Sequence, residues 1–407
     1  MPRTGWVWLG VKKPETIAEH IFRVAMMNWI LADRVRPKLN LKKIIKISLV
    51  HDLCEAYAGD MTPYWKILPK DKEKRIEILK RWIRIPRKEK EKLSKEKINL
   101  EKKSLLKLIK FLPTKTRDDI FSSWHDYEKG FSREGRFVKQ GDKIETLLQS
   151  IEYFGIKKDT PVLGWWEEAE ELVEEPVLLE FLKVIQKKFY GKAPGYKKNK
   201  ELENILDFIL KIGSLKKMYR AYWIMRKAKN PETVAGHIFT LALMAWIFGK
   251  EKYLNMGKLL KMAFCHEITA VYTGDTTPYD KILPKGKKKI KEMLKKSPRL
   301  LHKEKMKIFF KDYQEEKRAI EKLTLRLNLP LKNKINNLWK EYRKRSSPEG
   351  YFLSQLNVLA VLFQGLLQER KDNKFFTHPI WEWAFEMSDN PLNLKFMEEM
   401  RKKFYKK

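Results

Sequence analysis

A histidine and an aspartate stand side by side, His51-Asp52, at the end of an apolar stretch holding Ile44, Ile45, Ile47, Leu49 and Val50. An ionised carboxylate in such a stretch is costly unless it is paired or holds a metal. Neutral imidazole and carboxylate together suit Mn, Co, Fe or Zn. His20, in the preceding periodic segment, is the next candidate ligand. Asp142, in Lys139-Gln140-Gly141-Asp142-Lys143-Ile144-Glu145, is an acid on a later amphipathic segment and can close the set. Glu55 lies four residues after His51 and three after Asp52, so one continuous helix would put all three on one face. A carboxylate placed there can act on an activated water without binding the metal. Asp60 follows Gly59 at the helix end, where a loop side chain reaches a substrate hydroxyl. A second pair, His125-Asp126, sits in a polar segment and reads as surface.

These residues need helices to position them. Ile17, Ile21, Val24, Ala25 and Trp29 keep a period near 3.6, which predicts a helix over 15–33 started by Pro14. Residues 42–58 are apolar on most sides, which predicts a central helix carrying His51, Asp52 and Glu55 and ended by Gly59. A charged amphipathic region is expected over 71–112, broken near Pro86. A further helix is expected over 133–154, with Val138, Ile144, Leu147, Leu148 and Ile151 facing inward. No run alternates with period two, so the fold class is all-α.

The chain contains itself twice. Pro14-Glu15-Thr16-Ile17-Ala18-Glu19-His20-Ile21-Phe22 recurs as Pro231-Glu232-Thr233-Val234-Ala235-Gly236-His237-Ile238-Phe239. Tyr57-Ala58-Gly59-Asp60 recurs as Tyr272-Thr273-Gly274-Asp275, and Ile67-Leu68-Pro69-Lys70 as Ile282-Leu283-Pro284-Lys285. The order is kept and the offset barely drifts, which marks one duplicated domain. The Gly/Pro/Lys stretch 190–199 divides the halves into expected domains 1–192 and 199–407.

The 407 residues suffice for two domains at ~100–200 residues each. Lys+Arg 87 against Asp+Glu 52 gives a formal +35, so the expected partners are anionic (nucleotides, nucleic acid bound without sequence preference, or an acidic surface), the alternative being a Lys-rich solvated surface of the heat-adapted kind. Two cysteines, Cys54 and Cys265, exclude a disulfide scaffold and a Cys-based zinc cluster, and read as small buried hydrophobes. No stretch reaches ~18 uncharged apolar residues, and the N-terminus lacks a signal peptide's apolar region. No membrane partner and a cytoplasmic location are therefore expected.

With Pro2-Arg3-Thr4-Gly5-Trp6-Val7, Leu49-Val50-His51-Asp52-Leu53-Cys54-Glu55-Ala56, Gly59-Asp60-Met61-Thr62-Pro63 and Phe137-Val138-Lys139-Gln140-Gly141-Asp142-Lys143 added to the His20 segment, the first half resembles the HD-domain phosphohydrolases. Within them it is most similar to the metal-dependent 5'-deoxynucleotidases. The resemblance implies that His20, His51, Asp52 and Asp142 hold one divalent metal, Mn, Co, Fe, Zn or Mg. It implies Glu55 as general acid/base, Asp60 as hydrogen-bond partner of the sugar, and Trp6 as a wall of the nucleotide pocket. Such enzymes are helical, usually homodimeric, and release phosphate from deoxynucleoside 5'-monophosphates. Close relatives carry an Arg shortly after the tryptophan. Here Leu9 takes its place, which leaves phosphate binding to Arg3, Lys12 or Lys143.

The second half keeps His237 and His266 but has Glu267 for Asp52, Ala270 for Glu55 and Asn357 for Asp142. Arg220, Trp223 and Asp275 match Arg3, Trp6 and Asp60. The expectation is a nucleotidase with one active and one degenerate lobe, packed as an internal pseudo-dimer in a monomer or weak oligomer. The alternatives are an HD hydrolase of a dNTP, cyclic nucleotide or dinucleotide, and a basic nucleic-acid-binding protein on a degenerate HD scaffold.

Overall fold

The computed structural model describes residues 1–61, 68–69, 71–80, 87–156, 162–249, 254–277, 280, 289, 293, 301–372 and 375–405. Motif residues 62–67 and the expected break at Pro86 lie outside the described residues. Among those described, helices dominate and the only β-pairing is two isolated bridges, Pro2 with Thr16 and Tyr219 with Thr233. The two bridges occupy equivalent places in two compact units, Met1–Leu210 and Lys211–Lys407.

In the first unit the elements run α1 (Thr4–Trp8), α2 (Ile17–Ala32), α3 (Leu41–Val50), α4 (Glu55–Ala58), α5 (Lys72–Lys80), α6 (Arg87–Ile109), α7 (Thr114–Lys129), α8 (Arg133–Phe154), α9 (Val162–Leu172) and α10 (Pro176–Tyr190). The next helix, α11 (Lys200–Gly213), runs across the division between the units. α2 is the centre: Ile21, Phe22, Val24, Ala25, Met26, Met27, Trp29 and Ile30 are all fully buried. It packs against α3 and α8, which brings His20 towards the His51 and Asp142 segments.

Helix starts follow local chemistry. α2 begins at Ile17, two residues later than the sequence suggests, because Thr16 caps it: its hydroxyl accepts from Glu19 N while the Glu19 carboxylate accepts from Thr16 N at 2.6 Å. Asn40 caps α3 and Ser132 caps α8. The expected 42–58 helix is in fact two helices. α3 ends at Val50, and α4 starts at Glu55. Between them Leu53 N bonds Val50 O and Glu55 N bonds Asp52 O, both at 3.1 Å, a tighter three-residue spacing. The α4 segment then stops at Gly59, whose φ of 78° favours glycine.

The second unit repeats this plan after a 3-10 turn, Ser214–Lys217, with α12 (Ala221–Met225), α13 (Val234–Phe248), α14 (Met256–Cys265), α15 (Ala270–Thr273), α16 (His302–Leu323), α17 (Leu329–Lys344), α18 (Pro348–Lys371), α19 (His378–Met387) and α20 (Pro391–Tyr405). The caps recur in type and place, with Thr233 at α13, Asn255 at α14 and Ser347 at α18. By length and composition α18 is apolar enough to cross a membrane, with a mean hydropathy of 1.4 over its best window. That window is 72% buried inside the protein, and α18 packs on α13, α14 and α17 as a core helix.

One close approach distinguishes the units. A Cβ added at Gly141 would sit 1.7 Å from Asn28 Oδ1, so α8 touches α2 only because this residue lacks a side chain. Asn28 Nδ2 donates to Ser48 Oγ at 3.3 Å. The equivalent residues in the second unit are Ala245, Leu356 and Ala263, all fully buried. There the volume lost at one helix is restored on the other, and the polar groups are gone.

Candidate active site

Two helices and a turn deliver four side chains to one point in the first unit. His20 Nε2 lies 3.0 Å from Asp142 Oδ1, 3.3 Å from His51 Nε2 and 3.7 Å from Asp52 Oδ2. His51 Nε2 lies 3.4 Å from Asp52 Oδ2 and 3.8 Å from Asp142 Oδ1. The turn after α3 accounts for His51 and Asp52, α2 for His20, and α8 for Asp142. His51 Nδ1 donates to the Ser48 carbonyl at 2.8 Å, which turns its Nε2 lone pair to the cluster. Tyr127 OH donates to the second Asp142 oxygen at 2.9 Å.

The electrostatics are those of a cluster that holds positive charge. Burial and Arg3 both oppose protonation of His20, yet Glu145 and Asp142 lift its pKa to about 9. Burial opposes protonation of His51 too, but Asp52 and Asp142 raise its pKa. Burial works against the Asp52 carboxylate, and His51 and His20 still hold it below the usual range. Asp142, equally buried, is held well below that range by His20 and Lys143. Each imidazole thus shifts up and each carboxylate down because the four groups face one another.

Glu55 differs from all four. It is buried and its Oε2 has no hydrogen-bond partner. Burial, then Asp52 and Asp60, push its pKa well above the carboxylate range. On the far side of α4, α6 contributes Lys97, whose Nζ is 3.2 Å from Glu101 Oε1. Glu101 is buried, and its pKa is pushed up to about 7 by burial despite Lys97.

The other expected residues fall as follows. Asp60 Oδ2 accepts from Thr4 N at 2.5 Å, which ties the loop after α4 to α1. Arg3 Nη1 lies 3.0 Å from His20 Nδ1 and donates to Thr146 Oγ1 at 3.3 Å, so it borders the cluster. Trp6 is buried, donates to Glu15 Oε1 at 2.9 Å and packs on Trp165 at 5.0 Å. Lys143 Nζ stands 4.0 Å from Asp142 Oδ2 and 3.2 Å from Glu168 Oε1. Lys12 is exposed and, among the described residues, makes no contact with the cluster. Asp126, expected at the surface, is buried instead: it accepts from Ser132 N at 2.8 Å and pairs with Lys43 at 2.8 Å, closing the α7–α8 turn. Both cysteines are buried, and burial raises both thiol pKa values.

Sequence reasoning missed the groups behind His20. Its Nδ1 meets Glu145 Oε2, and Glu145 Oε1 accepts from Arg23 Nε at 2.7 Å. Arg23 and Glu145 are fully buried. The available signal was Arg23 interrupting an otherwise apolar run on α2.

The second unit keeps the frame and changes the centre. Ala221 N donates to Asp275 at 2.5 Å, as Thr4 N does to Asp60, and Trp223 donates to Glu232 at 3.0 Å, as Trp6 does to Glu15. His237, His266 and Glu267 still lie together. However, His237 Nε2 bonds Asn357 Oδ1 at 2.8 Å, and Arg220 Nη1 lies 3.2 Å from Glu267. Burial drives the His266 pKa down to about 3.

Comparison with known proteins places these observations in a wider set. The HD domain family model matches residues 1–163 and 212–382, one segment in each unit. The chain is similar to a 5'-deoxynucleotidase of Xenopus laevis, 31% identical over 39% of this chain and 65% of that protein. It is similar to one of Homo sapiens, 32% identical over 38% and 61%, and to one of Schizosaccharomyces pombe, 29% identical over 44% and 79%. The chain thus spans less than two thirds of the length of the two animal proteins. A solved conserved hypothetical protein from Pyrococcus furiosus is 25% identical with a TM-score of 0.34, covering 46% of this chain and 91% of that one.

Proposed function

The chain belongs to the HD domain family, and from that premise we propose that its first unit is a metal-dependent phosphohydrolase that removes the 5'-phosphate of (deoxy)nucleoside monophosphates. The observation that carries this reading is the meeting of His20, His51, Asp52 and Asp142 beside a buried, unpartnered Glu55 oxygen. The donor set, two imidazoles and two carboxylates, suits a divalent cation of the Mn, Co, Fe, Zn or Mg class. His20, His51, Asp52 and Asp142 would hold it. Such a cation polarises a phosphoryl oxygen and makes water more acidic.

The chain's own residues do the rest. Glu55, whose pKa burial and two neighbouring carboxylates raise, is the proton carrier of this reading. Water forms the new bond to phosphorus, the bond from phosphorus to the 5'-oxygen breaks, and Glu55 gives its proton to that oxygen and takes up in its place the proton that the attacking water loses. The products are a deoxynucleoside and inorganic phosphate. Arg3 and Lys143 border the cluster and offset charge on the non-bridging oxygens, a role open to them because Leu9 is uncharged. Asp60 faces the sugar, and Trp6 backs the wall against which the base lies.

The test is phosphate release from a panel of ribo- and deoxyribonucleoside monophosphates with Mn, Co or Mg. Triphosphates, cyclic nucleotides and dinucleotides run in parallel. Inorganic phosphate from monophosphates alone is the expected result. Turnover confined to another nucleotide class would replace the substrate, and no turnover with any metal would remove the assignment.

A further inference from the structure

Arg23 on α2 and Glu145 on α8 form a fully buried ion pair. Taking both groups out of water is costly, and replacing such a pair with apolar residues is often neutral or stabilising. We infer that Glu145, held by Arg23, is a positioning residue for His20, and that the second unit lacks a metal because it lacks this pair together with Asp142's charge. The inference rests on the metal reading proposed above.

The geometry is specific. Glu145 Oε2 bonds His20 Nδ1, and the other oxygen accepts from Arg23 Nε at 2.7 Å. Arg23 is fixed in turn by Glu152 and Gln149, both at 2.9 Å. Arg23 lies three residues after His20 on α2, and Glu145 three after Asp142 on α8. α2 therefore presents His20 and, one turn on, the arginine that holds Glu145, while α8 presents Asp142 and, one turn on, the Glu145 that braces His20. A carboxylate that accepts a hydrogen bond from Nδ1–H fixes the tautomer whose Nε2 lone pair faces Asp142, Asp52 and His51. Arg3 Nη1 stands 3.0 Å from the same nitrogen. It is a donor, and the nearer carboxylate is the group able to accept an N–H. His51 has an equivalent brace in the Ser48 carbonyl.

In the second unit His266 keeps its brace, with Nδ1 at 2.7 Å from Ala263 O. The positions of Arg23, Asp142 and Glu145 hold Thr240, Asn357 and Ala360. Asn357 Nδ2 donates to Tyr342 OH at 2.8 Å, which orients its Oδ1 to accept from His237 Nε2 at 2.8 Å. The proton then sits on the nitrogen that would have to face a metal. Arg220, 3.2 Å from Glu267 and from Asp275, already supplies the positive charge.

The measurement is metal content of the purified full chain and Co or Mn affinity by titration. Wild type should hold one metal per chain. Glu145→Leu should bind 10–100-fold more weakly, the usual cost of losing such a brace, with Glu145→Gln between the two. Asp52→Ala should lose the metal. The triple variant Thr240→Arg/Asn357→Asp/Ala360→Glu should raise the content from one to two. Two metals in wild type, or wild-type affinity in folded Glu145→Leu, would overturn the inference. If Glu145→Leu does not fold, a triple variant still holding one metal overturns it instead. If Asp52→Ala keeps its metal, the underlying metal reading has failed, and the two failures are thereby told apart.

Discussion

Glu55 and the carboxylates of Asp52 and Asp142 shift in opposite directions, and that contrast separates the proposed catalyst from the proposed acidic ligands. Glu55→Gln keeps the shape and removes the titrating group. Metal should stay near stoichiometric while turnover falls ~10²–10⁴-fold, the ordinary share of general acid/base catalysis. Phosphate release alongside metal analysis checks it, and normal turnover would move the role to Asp60. His266 gives the opposite kind of test. Its folded pKa, about 3, lies below the unfolded 6.5 because burial disfavours the imidazolium. The unfolded chain binds the extra proton first, so stability falls as pH drops from about 6.5 towards about 3. His266→Gln should flatten that acid limb in denaturant titrations at several pH values and leave turnover within a few-fold of wild type. The ligand candidates were legible because histidine and aspartate in apolar helical runs have few other uses. Glu145 and Arg23 were not, since a charged residue on a helix normally marks a solvated face. Only burial shows that theirs is an interior one.

At the scale of elements, the sequence predicts the helices well where periodicity is strong, as in 133–154, found as Arg133–Phe154. It predicts one helix over 42–58 because apolar pattern carries no mark of a change in pitch. The structure tightens the backbone at His51–Cys54, so Glu55 begins a new segment and is not on the same regular face as His51. The contact of α2 with α8 is equally silent in the pattern and depends on Gly141. Gly141→Ala would drive a methyl into Asn28 Oδ1 and push α8 outward just before Asp142. Metal affinity should fall and the melting temperature should drop, reflecting the ~1–3 kcal/mol loss of stability typical of overpacking. Asn28→Ala combined with Gly141→Ala should recover much of the stability. Melting curves with and without added metal would show whether the two losses travel together.

For the whole molecule, duplication was the most legible feature, since repeated motifs in constant order need no structure to be seen. The division between units was harder to place, because it falls within α11 and not in the Gly/Pro-rich stretch before it. The +35 charge is also visible from composition, but composition does not say whether it serves a partner. Many of the cations are engaged locally, such as Lys46 with Asp119 at 2.5 Å and Lys258 with Glu341 at 2.7 Å. If the charge is a solvated surface, binding to random-sequence DNA or RNA should be weaker than ~1 μM at physiological salt and fall steeply as salt rises. Filter or anisotropy titrations over a salt series decide this. Tighter, sequence-dependent binding would favour the nucleic-acid reading.

The exchange of Asn28, Ser48 and Gly141 for Ala245, Ala263 and Leu356 has a thermal consequence. The first unit keeps polar groups, a buried Asn28 oxygen without a hydrogen bond, and a side-chain-free contact at its centre, whereas the second fills the same space with hydrocarbon. Sites that keep chemistry commonly sacrifice stability, and copies released from it regain the loss. On heating, the first unit should therefore melt before the second, in two calorimetric transitions. Activity should vanish across the lower one while about half of the helical circular dichroism signal survives. The half proposed to carry the activity would then also be the heat-labile half.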